Sequence, residues 1–340
     1  MTVSALLITY NDVDRVQSTI ETLWRNCDEL VIIDNGSSDG TVELCRNLAA
    51  KSSGRIVFFG PDGWRPENTP GGLTRARNFG LRNASGDWVL VLDSDERLDD
   101  SQTILVSRSE KVSGYFARWN THWDDGRITT DYKLAMIRRD SGIHFEGLIH
   151  ENPTASARRL GLQCGMLEVG VVNRPRVVDI GPKRRRYVEH LRMALEIQPN
   201  CARLHWFLGL SLYTLGQFEA ARTELVAAAT THDVEYPIER TNASFLLGYG
   251  LALQGETETA ERWLACAEQL WRESRNDIEM VAYGLVRHRM AEVWKFRTDL
   301  NRLLTLDPAD LFYCGWQSRT DLEPIARRDA VSAIKPGHSE

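Results

Sequence analysis

Trp88-Val89-Leu90-Val91-Leu92-Asp93-Ser94-Asp95-Glu96 is the stretch that decides how this chain is read. Five apolar residues in a row fit a strand buried on both faces, as in parallel sheets. The run then ends in three carboxylates within four positions. Like charges this close repel, and a strand end facing a cleft is partly desolvated, so the arrangement is costly unless a cation sits there. Short oxygen-rich loops suit Mg²⁺ or Mn²⁺. The plainer reading is a solvated acidic turn in which Asp95 or Glu96 caps a helix.

Outward from this strand the first half alternates β-rich runs with helical spacing. Strands are expected at residues 3–9, 30–34 and 55–59, and helices at 13–25, 41–50 and 72–83. That alternation predicts an α/β fold with a mostly parallel, Rossmann-like sheet. Ligands bind beyond the carboxyl ends of such strands. Three polar clusters fall there: Tyr10-Asn11-Asp12, Asp34-Asn35-Gly36-Ser37-Ser38-Asp39-Gly40 and Asp93-Ser94-Asp95-Glu96. Asp39 is placed to cap the next helix, and Asp34 to accept from a nucleobase imide or a ribose hydroxyl. Trp88 reads as core. Trp119 and Trp123, around His122, read either as core or as an aromatic platform.

From about residue 184 the period becomes helical. Leu208-Gly209 with Gly216, Ala221 and Leu225 reappears 39 residues later as Leu247-Gly248 with Gly255, Ala260 and Leu264. A fainter copy centres on Tyr283-Gly284 and ends at Asp307-Pro308. The pattern resembles the tetratricopeptide repeat, in which small residues let paired helices approach. The expected division is residues 1–180 as the α/β domain, 181–325 as an all-α helical repeat domain, and 326–340 as a flexible tail.

A net charge of −6 over 340 residues gives no general attraction to nucleic acid. The basic run Lys183-Arg184-Arg185-Arg186 reads as a solvated helix face. No apolar run approaches the roughly 20 residues of a membrane span, so no transmembrane anchor is expected. The opening residues read as a first strand rather than a signal peptide. Six cysteines without a Cys-x-x-Cys pair point to reduced thiols and a cytoplasmic protein.

Several boxes together resemble family 2 glycosyltransferases of the GT-A fold. They are Ile8-Thr9-Tyr10-Asn11, the Asp34–Thr41 box, Ala76-Arg77-Asn78, Ala84-Ser85-Gly86-Asp87-Trp88 and Leu92-Asp93-Ser94-Asp95-Glu96. Phe145-Glu146-Gly147-Leu148-Ile149-His150-Glu151 ahead of helical repeats is similar to the bacterial branch that includes glycocin peptide S-glycosyltransferases. Two positions depart from that branch: Thr74 stands where serine is usual, and Val171-Val172-Asn173-Arg174 lacks a further histidine.

The resemblance implies an inverting, metal-dependent hexosyltransferase using a nucleoside-diphosphate sugar, UDP-linked in the leading reading. It implies Asp93, Asp95 and His150 around Mn²⁺ or Mg²⁺. Thr9, Asn11, Asp34, Asp39, Asp93 and Arg75 or Arg77 are expected to contact the donor, and Glu151, or else Glu146, to be the base that deprotonates the acceptor. The expected acceptor is a peptide or protein side chain gripped by the repeats, which are also a candidate homodimer interface. Two alternatives stand beside it: a lipid-linked, polysaccharide or nucleic-acid acceptor, and a non-catalytic repeat scaffold with a vestigial sugar-nucleotide domain.

Overall fold

Four short apolar runs lie side by side as β1 (Val3–Thr9), β2 (Glu29–Asp34), β3 (Ile56–Phe59) and β4 (Trp88–Asp93). β1 is buried along its whole length and β2 and β4 along nearly all of theirs. Only a sheet covered on both faces permits that. The structure is a computed structural model that describes residues 1–67, 69–99, 112–122, 126, 128–174, 180–286 and 299–305. The chain divides into two compact units, Met1–Val178 and Asp179–Glu340.

In the first unit the connecting helices are α1 (Val16–Trp24), α2 (Thr41–Lys51) and α3 (Gly72–Asn83). Gly80 lets α3 lie close on the sheet, because a Cβ there would meet Leu6 Cδ1 at 2.2 Å. After β4 come β5 (Glu96–Leu98), β6 (Val112–His122), β7 (Ile128–Arg138), α4 (Thr154–Arg159), β8 (Gln163–Met166) and β9 (Val171–Asn173). Together they make one nine-stranded sheet in the order β3-β2-β1-β4-β7-β6-β9-β5, with β8 on β6. Five of its eight ladders are parallel and three antiparallel, so the sheet is mostly parallel, as expected for GT-A.

The direction reverses between β4 and β7, and that ladder covers only Trp88–Leu90. The rest of β4 therefore runs on past β7 and delivers Asp93 to the edge of the sheet. This break in the pairing positions the candidate site. Trp88 lies in the core against Tyr115, and Trp119 packs against the same core. Trp123 lies outside the described residues.

Among the described residues the second unit contains α5 (Ile180–Ile197), α6 (Ala202–Thr214), α7 (Phe218–Thr230), α8 (Pro237–Leu253), α9 (Thr257–Ser274), α10 (Ile278–Val286) and the short α11 (Leu300–Leu303). α6 packs on α7 and α8 on α9. The two internal copies repeat the same close glycine-to-leucine contact. A Cβ on Gly209 would meet Leu225 Cγ at 2.8 Å, and one on Gly248 would meet Leu264 Cγ at 2.7 Å. Ala221 and Ala260 are fully buried beneath them. Gly216 and Gly255 occupy the turns with φ of 74° and 79°, in the left-handed region that glycine tolerates. The end of the third copy, Asp307-Pro308, and the tail at 326–340 lie outside the described residues. Of the basic run, Arg185 and Arg186 are exposed on α5.

Candidate active site

The loop after β2 is fixed by its own carboxylates. Asp34 is 1% exposed; Oδ2 accepts from the Gly36 and Ser37 N–H groups, both at 3.0 Å, and Oδ1 from the Thr9 hydroxyl at 3.3 Å. Asn11 sits at φ 53°, a region asparagine tolerates, and locks to the same loop: its N–H donates to Ser37 Oγ and its Oδ1 accepts from Ser38 N–H. Asp39 accepts from Thr41 N–H and Oγ1 and from Val13 N–H. Slight burial works against it, but those hydrogen bonds hold its carboxyl below the usual carboxylate range. Thr9, Asn11, Asp34 and Asp39 thus form one hydrogen-bonded rim, in which Asp34 serves the loop as well as facing the sheet edge.

The start of α3 is clasped to residues 145–151. Asn78 exchanges two hydrogen bonds with the Phe145 backbone, 2.8 and 2.9 Å long. The Thr74 hydroxyl donates to Gly147 O at 2.5 Å, and Gly71 N–H to Leu148 O at 2.6 Å. Thr74 therefore does with its hydroxyl what serine would do. Glu146 and Asn152 pair through both backbone groups, closing the loop between them. Gly147 at φ 102° and His150 at φ 55° give it its sharp curvature.

Arg77 ties this clasp to β4. Its Nε donates to Glu151 Oε1 and its Nη2 to Asp93 Oδ1, each at 2.8 Å, with the guanidinium carbon 5.3 Å from the Phe145 ring centroid. The Arg77 and Glu151 side chains are only 9% and 10% exposed, whereas Asp93 is 39% exposed. Burial opposes the Arg77 charge, but the two carboxylates more than offset that and raise its pKa.

Asp95 has the opposite surroundings. Burial, then the charges of Asp93 and Asp12, push its carboxyl up to about 6, with Arg15 a minor counterweight. Glu96, 1% exposed, is pushed up by burial despite the Lys133 ammonium beside it. Its Oε2 accepts from Lys133 Nζ at 2.5 Å and from the Asp93 N–H at 2.8 Å. Asp12 accepts from the Ser94 hydroxyl on the same turn. Crowded carboxylates that resist ionisation are the chemistry a hard cation relieves, so Asp95 with Asp93 fits Mg²⁺ or Mn²⁺.

Among the described residues no three His, Cys, Asp or Glu side chains form a ready-made metal cluster. His150 is therefore not gathered with Asp93 and Asp95 into a three-ligand set. Its left-handed backbone bends the clasp loop instead.

Two further expected site residues are occupied elsewhere. Arg75 pairs at the surface with Glu67 and donates to Thr69 Oγ1. Glu146 Oε1 is taken by Arg159 and by His144 Nε2. Asn78 and Asp12 lie in quoted segments that did not assign them these roles, and Lys133 lies in no quoted motif, being one lysine in an ordinary strand, β7.

A match to the family description Glycosyl transferase family 2 covers residues 4–106. The lipopolysaccharide core biosynthesis glycosyltransferase LpsC of Rhizobium meliloti is 29% identical over 171 residues, 46% of this chain and 60% of LpsC. The SPbeta prophage-derived glycosyltransferase SunS of Bacillus subtilis is 21% identical over 228 residues, 65% of this chain and 51% of SunS. The chain thus spans between half and two thirds of the length of these two relatives. The crystal structure of S. aureus TarS aligns with a TM-score of 0.37 at 16% identity, over 85% of this chain and 55% of TarS.

Proposed function

We propose, from the family 2 glycosyl transferase domain in residues 4–106, that this chain transfers a hexose from a UDP-linked donor to an acceptor, inverting the anomeric carbon. The observation that carries the reading is the meeting of Asp93, Asp95, Arg77 and Glu151 at the break between β4 and β7. The rim of Thr9, Asn11, Asp34 and Asp39 holds the nucleoside. Asp95 and Asp93 are the carboxylates that would hold Mn²⁺ or Mg²⁺. When bound, the cation stabilises the charge that develops on the leaving diphosphate.

Arg77 keeps Asp93 and Glu151 a fixed distance apart and adds a permanent positive charge beside the diphosphate. Glu151, which holds Arg77 Nε through Oε1 next to Asp93, takes the acceptor's proton. Displacement forms the bond from the acceptor atom to the anomeric carbon and breaks the bond to the diphosphate.

Helical repeats commonly offer a surface to an extended chain, and the helical hairpins of the second unit support a peptide or protein side chain as the acceptor. Among the described residues no helix is long and apolar enough to cross a membrane. The printed name of LpsC favours a second reading, a lipopolysaccharide core saccharide as acceptor.

A panel of UDP-, GDP- and CDP-sugars read by thermal shift with Mn²⁺ tests the donor. At about 100 times Kd a ligand stabilises by roughly 2.7 kcal/mol. A rise in Tm with one UDP-sugar supports the reading, and no response to any donor ends it. Radiolabelled sugar appearing on peptide or on core oligosaccharide separates the two acceptors.

A further inference from the structure

We propose that Lys133 is a positioning residue for the cation-binding turn, acting through Glu96; this rests on the cation reading above. Glu96 is 1% exposed and its Oε2 holds two donors, Lys133 Nζ on β7 and the Asp93 backbone N–H. The pair therefore bridges the gap where the β4–β7 ladder has ended at Leu90. It does for the turn what missing backbone pairing cannot.

Two anchors then fix residues 93–95 from opposite sides: Glu96 grips the Asp93 main chain and Arg77 grips its side chain. Asp95 follows as the member of the turn left to face a cation, with Arg174 N–H on its backbone oxygen at 3.3 Å. Lys133 and Glu96 sit one step behind the cation's own ligands, the position whose partners orient those ligands.

Without Lys133, Glu96 is a buried carboxyl left with one backbone donor, the Asp93 N–H. It turns toward another donor or toward water and releases the Asp93 N–H, so the turn loses its register. An added negative charge alone would instead strengthen cation binding. These opposite signs make the test decisive.

Mn²⁺ binding to the purified protein with UDP present, read from the free-Mn²⁺ electron paramagnetic resonance signal, is the measurement. Lys133→Met is expected to weaken Mn²⁺ binding about 10-fold or more, the usual effect of losing a residue behind the ligands. Lys133→Arg keeps the charge and stays near wild type. Adding Glu96→Gln to Lys133→Met replaces the carboxyl that lost its partner by an amide, keeps an oxygen for the Asp93 N–H, and is expected to restore most of the affinity.

Should Lys133→Met fail to fold, Lys133→Gln carries the same expectation. Equal or tighter Mn²⁺ binding by a folded Lys133→Met or Lys133→Gln protein overturns the positioning role, as does failure of Glu96→Gln to rescue. A wild type that binds no Mn²⁺ overturns the cation reading itself, and this inference with it.

Discussion

Arg77 Nε lies 2.8 Å from Glu151 Oε1, and the two side chains are 9% and 10% exposed. A buried pair of this kind is strongly destabilised when one member is removed, by about 3–5 kcal/mol, because the other is left uncompensated. Arg77→Met is expected to lower stability by that order and to abolish turnover. Chemical denaturation followed by circular dichroism checks the first and UDP release the second. Glu151→Gln should cost less stability, since the amide oxygen still accepts from Nε, while kcat falls far more than donor affinity.

Asp95 illustrates a site that opposes its own fold. Its folded pKa, about 6, lies above the ordinary aspartate value of 3.8, so ionisation is penalised in the folded state. The penalty is absent below pH 4, grows as pH rises toward 6, and is complete above it, where two units correspond to roughly 3 kcal/mol. Asp95→Asn is therefore expected to raise the Tm of the metal-free protein at pH 8 but not at pH 4. Saturating Mn²⁺ with UDP should raise the wild-type Tm and leave the variant's unchanged.

In the second unit, His205 has acceptors at both ring nitrogens, Glu224 Oε2 at 2.7 Å and Pro199 O at 2.8 Å. Both bonds form only when the ring is doubly protonated. Burial lowers its pKa, but Glu224 and the Pro199 carbonyl raise it more, for a net rise above 6.5. A raised histidine contributes stability that is complete below its unfolded pKa and lost as pH rises through the folded one. The Tm difference between wild type and His205→Gln should accordingly be larger at pH 6 than at pH 9.

The helical hairpins are held by glycine contacts. Gly248→Ala would press on Leu264, and overpacking costs about 1–3 kcal/mol. Gly216→Ala meets nothing within 4 Å, and its cost of about 1 kcal/mol comes from its backbone at φ 74° alone. Thermal melts of both variants test the contrast.

Cys27 and Cys45 are held by burial at a pKa of about 12, and Cys164 and Cys201 at about 11. Thiolate is the reactive form, so these four should resist iodoacetamide at pH 8 in the native protein and react on unfolding. Peptide mapping by mass spectrometry reads the outcome.

The parallel half of the sheet was legible because its strands are almost wholly apolar and the helices between them carry a clear 3.6-residue period. The hairpin repeat was legible for a related reason: close packing forces the same Gly and Ala offsets twice. The motif boxes put Asp93, Asp95, Arg77 and Glu151 among the candidate site residues, and Asp93, Arg77 and Glu151 are joined by ion pairs. What they could not convey was pairing, because Arg77 to Glu151 spans 74 positions and Lys133 to Glu96 depends on strand register. Glu146 and Arg75 carried the right chemistry in matching segments, yet His144, Arg159 and Glu67 claim them through contacts that a motif does not encode.

The most direct measurement is nucleoside diphosphate release from UDP-hexoses by wild type and Asp95→Ala, each with Mn²⁺ and with excess chelator. The account predicts release by the wild type with Mn²⁺ alone, and none by the folded variant or in chelator. Undiminished release by Asp95→Ala, or in chelator, would contradict it.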